Sequence, residues 1–153
     1  VAEDTGALRA RSEAFRATAT YRFLNRGVAK FARAGLFPAT VLLTTRGRKS
    51  GQPRSLPATP IEVGGRHWLV APYGVVDWVR NVRAHPEVTL ARGRTRRRFT
   101  VREVGAEEAG PVLRRYAQVA SVARPSFDAG PDDPPEAFAA EADRHPVFEL
   151  LDA

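Results

Sequence analysis

The 153-residue chain has no cysteine and no methionine, and only two of its 24 cations, Lys30 and Lys49, are lysine. Without cysteine there is no disulfide, no thiolate metal ligand and no cysteine nucleophile, and the redox compartment is left open. The missing methionine points to a start upstream of Val1 or to its removal. No apolar run approaches the roughly 20 residues of a membrane span. No secretory signal opens the chain, so a cytoplasmic address is expected. Two phosphate-binding signatures are also missing. Arg48 rather than glycine precedes Lys49, which excludes a Walker P-loop, and no G-x-G-x-x-G follows a strand. There is no G-x-S-x-G, so hydrolysis lacks its usual residues. His67, His85 and His145 have no ligand spacing, which argues against a metal site.

What is present is ordinary in amount and uneven in placement. Hydrophobic residues make up 43% and charged residues 27%, the balance of a soluble globular protein. The length suits one domain over 1–153 with a real core. Net charge is +7, but residues 1–102 hold 20 Lys/Arg against 6 Asp/Glu, and residues 103–153 hold 4 against 11. The basic part predicts an anionic partner: nucleic acid, an anionic membrane surface or a polyanionic cofactor.

Residues 1–12 read as a loose leader. Residues 13–34 read as a helix, with Tyr21, Leu24, Val28 and Phe31 on one face and Gly35 as its cap. That helix packs on its own domain or makes peripheral contact with an anionic membrane. Strand-like runs follow at 39–45, 54–63, 66–72, 87–92 and 96–104, with hairpin signals at Gly64-Gly65 and from Gly93 to Thr95. A short helix is expected at 76–84, stopping before His85-Pro86, and a longer one at 106–120. The Pro-rich stretch 123–135 reads as a loop or lid, followed by a helix at 136–143 and a strand at 147–150. This is an α+β pattern: a small, mostly antiparallel barrel of about six strands, cored by 39–104, with flanking helices.

Two constellations carry chemistry. In Leu43-Thr44-Thr45-Arg46-Gly47-Arg48-Lys49-Ser50-Gly51-Gln52-Pro53-Arg54, two glycines let the backbone approach a ligand while four cations supply charged donors. A phosphate-bearing ligand fits it; so does a solvated turn. In the second, a strand ends at Ala71, Pro72-Tyr73-Gly74 turn, and a helix opens near Val76-Asp77 with its amides toward an anion. Trp78 and Asn81, three apart, share a helical face. They suit a flat polar ring, or else Trp78 is core and Asn81 braces a neighbouring loop. The run from Arg92 to Arg98 suggests phosphate tracking, but only Phe99 is there to stack on bases, so nucleic acid is disfavoured. Ser126 and Phe127 line a pocket mouth or are ordinary loop.

Taken together and in order, the first constellation and Trp78-x-x-Asn81-x-Arg83-Ala84-x-Pro86-x-Val88 resemble the deazaflavin-dependent nitroreductase family, over residues 39–104 with a weaker echo at His145-Pro146-Val147-Phe148. The resemblance implies a split β-barrel related to flavin-mononucleotide oxidoreductases, and binding of coenzyme F-420, whose phosphate and oligoglutamyl tail are acidic. By similarity Arg48, Lys49, Ser50 and Arg54 hold the phosphate. Ala71, Pro72, Tyr73 and Gly74 line the ring, and Val76, Asp77, Trp78 and Asn81 complete the site. The implied activity is hydride transfer to a small-molecule electron acceptor such as a quinone, nitroaromatic or enone, with Tyr73 or water as proton donor. The short Pro72–Val76 loop and Pro125-Ser126-Phe127 depart from the family pattern, so the acceptor does not carry over. Flavin mononucleotide is the alternative cofactor. A non-catalytic cofactor or lipid carrier and a nucleic-acid module are the competing classes. A homodimer is expected by analogy.

Overall fold

The computed structural model describes residues 40–153; the expected leader, the helix at 13–34 and its Gly35 cap lie outside them. Among the described residues seven strands form one sheet: β1 (Val41–Arg46), β2 (Pro53–Ala58), β3 (Ile61–Val63), β4 (Arg66–Val70), β5 (Glu87–Arg92), β6 (Thr95–Glu103) and β7 (Val147–Asp152). Their order is β2-β1-β5-β6-β7-β4-β3, and every pairing is antiparallel. Helix α1 (Asp77–Ala84) joins β4 to β5. Helices α2 (Ala106–Val119) and α3 (Pro135–Ala139) lie between β6 and β7.

The expected strand at 54–63 is two strands. It breaks at Thr59-Pro60, because proline has no N–H for a ladder. The halves then part company: β2 pairs with β1 and β3 with β4, at opposite edges of the sheet. Two linking residues span no more than about 11 Å, so the edges must curl toward each other. A curled antiparallel sheet with flanking helices is the split β-barrel of the α+β class. Strand β7 joins its two halves, pairing with β6 on one side and β4 on the other.

The two faces of the sheet bury different things. Inside the curl, Leu43, Leu69, Val88, Val101, Phe148 and Leu150 meet Trp78, Val79 and Val82 of α1. On the other face, Trp68, Val70 and Val147 meet Ala109, Val112, Leu113 and Tyr116 of α2, with Phe127 and Phe138 closing the layer. Period-two alternation produces this split, sending Leu69 one way and its neighbours Trp68 and Val70 the other. Helix α1 ends at Ala84 because His85 precedes Pro86, which disfavours the helical conformation there. The 123–135 stretch contains a short 3₁₀ turn (Arg124–Ser126). Ser126 and Phe127 are buried rather than placed at a pocket mouth. The helix expected at 136–143 divides into α3 and a 3₁₀ turn (Ala142–Arg144), the break falling where the buried Glu141 turns inward. The basic hairpin is β5–β6, its arginines exposed, with Arg97 paired to Asp152 and Arg98 to Glu87. Among the described residues no helix is long and apolar enough to cross a membrane.

Two contacts fasten α2. Gly110 faces α3 so closely that a Cβ there lies 2.6 Å from the Pro135 carbonyl oxygen and 3.2 Å from the Ala139 Cβ. On the adjoining sheet surface the Glu149 carboxylate accepts from Arg66 Nε and Nη2, both at 2.6 Å, and from Arg102 Nη2 at 2.7 Å. Arg102 also reaches Glu108, in the first turn of α2, at 2.9 Å. Hydrogen bonds from Arg66 and then Arg102 hold the Glu149 carboxyl below the usual carboxylate range; the bond from Arg102 does the same for Glu108.

Gly110→Ala is expected to destabilise the fold by about 1–3 kcal/mol through overpacking, read as a lower denaturant midpoint at unchanged m-value. The depressed carboxyls bind protons later in the folded than in the unfolded chain. Their stabilisation is therefore complete above the ordinary carboxylate range and is lost as pH falls through the lowered folded values. Glu149→Gln should flatten that acid limb in chemical denaturation followed against pH.

Candidate functional site

The β1–β2 turn is built by its own backbone. Gly47 N donates to Gln52 O and Gly51 N to Gly47 O, each at 2.8 Å. Gly51 has φ of 70°, a left-handed conformation that glycine adopts without penalty. Ser50 Oγ accepts from Gln52 N at 3.1 Å. The result is a tight loop that leaves Lys49, Ser50 and Arg54 exposed.

Asn81 ties this loop to α1. Its Oδ1 accepts from Arg48 N at 3.2 Å and Arg48 Nη1 at 3.0 Å, while Nδ2 donates to Thr45 Oγ1 at 3.2 Å. Both Arg48 groups can only donate, so the orientation of the amide is forced. Asn81 and Thr45 are buried, at 3% and 1% exposure. Arg48 Nη2 also reaches Asp77 Oδ1 at 3.4 Å, and Arg80 Nη1 lies 3.7 Å from the same oxygen.

Between turn and helix opens a cavity of about 760 Å³. Its mouth carries Arg48, Lys49, Ser50, Arg54 and Arg80, opposed among the described residues by one acid, Asp77. Its wall is apolar: Leu56 from β2, Val75 and Val76 from the loop, and Trp78 from α1. Trp78 is both wall and core, its ring 5.5 Å from Phe148. Among the described residues Lys49 and Arg54 have no ion-pair partner. A smaller cavity of about 400 Å³ shares Thr45 and presents Arg46, His85 and Arg98.

Eight expected residues therefore come together on one cavity: Arg48, Lys49, Ser50, Arg54, Val76, Asp77, Trp78 and Asn81. Ala71, Pro72, Tyr73 and Gly74 do not line it. Ala71 is buried with its N–H on Pro146 O at 2.8 Å. The Pro72 carbonyl faces His145 Nδ1 at 2.8 Å. Tyr73 packs against the cluster under α2. This segment fastens the loop to the end of the chain and leaves only Val75 and Val76 to face the cavity. Asn81 lines the cavity while its amide braces the turn. Sequence reasoning missed Thr45, Leu56, Val75 and Arg80. Thr45 was legible, since alternation places it on the face of Leu43. Leu56 was not, because its place follows from the β1–β2 register, Leu43 opposite Leu56. Among the described residues no group of three His, Asp or Glu side chains forms a metal-ligand set.

A cationic mouth over an apolar, indole-bearing wall, at a volume typical of cofactor clefts, fits an amphipathic anion with a flat ring. A family model described as F420H(2)-dependent quinone reductase matches residues 15–130. A solved structure described as an F420-H2 dependent reductase (FDR-A) is 30% identical, with 73% of this chain and 93% of that one covered, at a TM-score of 0.47. Another, described as a domain-swapped dimer, is 26% identical over 86% of this chain and 92% of that one, at a TM-score of 0.51. HutZ, described as a heme storage protein from Vibrio cholerae, shares the fold at 10% identity over 84% and 89% of the two chains, with a TM-score of 0.52. No curated protein matches the chain. With the family model spanning most of its length, the chain belongs to the F420H2-dependent quinone reductase family.

Proposed function

We propose that the 760 Å³ cavity is the coenzyme site, and that the protein reduces a small planar acceptor, a quinone first and a nitroaromatic or enone by the same chemistry. The observation that carries this reading is the meeting of Lys49 and Arg54, without ion-pair partners among the described residues, with the Trp78 wall in one cleft. Bound F420H2 supplies the hydride. Lys49, Ser50 and Arg54 hold its phosphate through charge-assisted donors, and the remaining cationic rim suits its acidic tail. Arg48 contributes charge while its guanidinium stays fixed by Asn81 and Asp77. Leu56, Val75, Val76 and Trp78 exclude water from one face of the ring and orient it toward the acceptor, which is where a positioned complex gains most of its rate.

Tyr73 faces the α2 cluster, so we assign protonation of the reduced acceptor to water entering the open cleft. Residues 1–153 are read as one split-barrel domain. A homodimer is the proposed assembly, supported by the relative described as a domain-swapped dimer. Cytoplasmic placement, and membrane contact through residues 13–34, stay proposals.

In equilibrium titration the protein should bind F420 at micromolar concentration or tighter, and flavin mononucleotide far more weakly. The reverse preference overturns the assignment. Reversing charge at Arg48 and Lys49 together should weaken F420 binding by about a hundredfold, near 1.4 kcal/mol for each factor of ten. Asn81→Ala should cost about 1–3 kcal/mol in chemical denaturation, since it leaves Thr45 and the Arg48 amide without their partner. It should weaken coenzyme binding as well, because the turn loses its brace.

A further inference from the structure

Glu141 and His145 are buried, at 3% and 0% exposure, and neither lines the cavity. His145 Nδ1 lies 2.8 Å from the Pro72 carbonyl oxygen. A carbonyl only accepts, so Nδ1 carries a proton. Nε2 lies 2.8 Å from Glu141 Oε1. One proton is shared across that gap, resting on nitrogen or oxygen, and the pair is neutral overall in either state. The carboxylate also accepts from Asp128 N at 3.1 Å and Ala129 N at 3.0 Å. The Phe127 ring packs on the imidazole with centroids 4.5 Å apart, and Arg144 pairs with Asp128 at 2.8 Å.

These contacts converge on the loop that ends in the cavity wall. Ala71 N donates to Pro146 O at 2.8 Å. Gly74, at φ of 92°, brings its Cβ position to 3.5 Å from Arg144 O. Val76 N donates to Gly74 O at 2.9 Å, so the placement of 72–74 sets that of Val75 and Val76. An apolar pair could fill the space of Glu141 and His145 at lower desolvation cost. Only hydrogen-bonding groups can hold the Pro72 carbonyl and the amides of 128–129 to a common point.

Resting on the reading of the cavity as the coenzyme site, we propose that Glu141 and His145 are positioning residues. They fix the Pro72 carbonyl and, through it, the Val75–Val76 wall against which the coenzyme lies, and they tie that wall to segment 127–129. Glu141→Gln conserves the arrangement: its amide nitrogen donates to a neutral Nε2, and its oxygen accepts from Asp128 and Ala129. Glu141→Ala removes both sets of bonds. His145→Gln cannot reach Pro72 and Glu141 at once.

The test is amide hydrogen exchange on the ligand-free protein, with F420 titration alongside, for these three variants. Glu141→Ala and His145→Gln should accelerate exchange at 73–76 and 128–129 by about tenfold or more, with β1 and α1 unchanged. Both should raise the F420 dissociation constant by about tenfold, and Glu141→Gln should stay near wild type on both readouts. Where Glu141→Ala does not fold, the contrast between Glu141→Gln and His145→Gln carries the test. Acceleration spread evenly over the sheet, or damage from Glu141→Gln equal to that from His145→Gln, overturns the positioning role. Failure of wild-type protein to bind F420 overturns the cavity reading. Unchanged exchange at 73–76 with coenzyme binding intact overturns the positioning role alone.

Discussion

The side-chain amide of Asn81 is the constraint on which the site depends. It joins three elements that are distant in sequence: the end of β1 through Thr45, the turn through Arg48, and α1, on which it sits. In an apolar interior an unpaired amide is costly, so these partners are held together or not at all. The cavity exists because that junction keeps the turn and the opening of α1 apart at a set separation, with Trp78 wedged against Phe148 behind it.

The distribution of charge follows from the same frame. Acids and arginines on the α2 side neutralise one another in a continuous network through Glu149, Arg66, Arg102 and Glu108. At the cavity mouth, among the described residues, only Asp77 opposes five basic or polar groups. Four cations, Arg48, Lys49, Arg54 and Arg80, therefore share one cavity with little acid to neutralise them, while the α2 side is internally balanced. Affinity for an acidic ligand needs that imbalance, and stability needs the balanced network elsewhere.

Much of this was legible in the sequence because it rests on local signals. The turn at 47–52 announces itself by Gly47 and Gly51, and α1 by the spacing of Trp78 and Asn81 and the stop at His85-Pro86. The strand at 87–92 coincides with β5. What escaped was set by pairing between remote segments. The break at Thr59-Pro60 separates strands that belong to opposite edges, and periodicity within 54–63 carries no trace of it. Tyr73 lies within two residues of Val75, yet one packs under α2 and the other lines the cavity. That division comes from the anchoring of 71–74 on 144–146, seventy residues away in the chain. Glu141 and His145 flank the 3₁₀ turn at Ala142–Arg144, and their burial as a pair follows from the packing of that turn on 72–74 and 127–129, which no local pattern encodes.

Strand β7 has a consequence for how the molecule is made. Among the described residues it is the one strand that bridges the group β2-β1-β5-β6 and the group β4-β3, yet in sequence it comes last of the seven. As synthesis proceeds from the N-terminus, a ribosome that has released everything up to α3 still holds a sheet in two unjoined pieces, with β6 and β4 exposing unpaired edges. The curled sheet behind the cavity can thus close only once β7 has been made, and until then those edges are open to pairing with other chains.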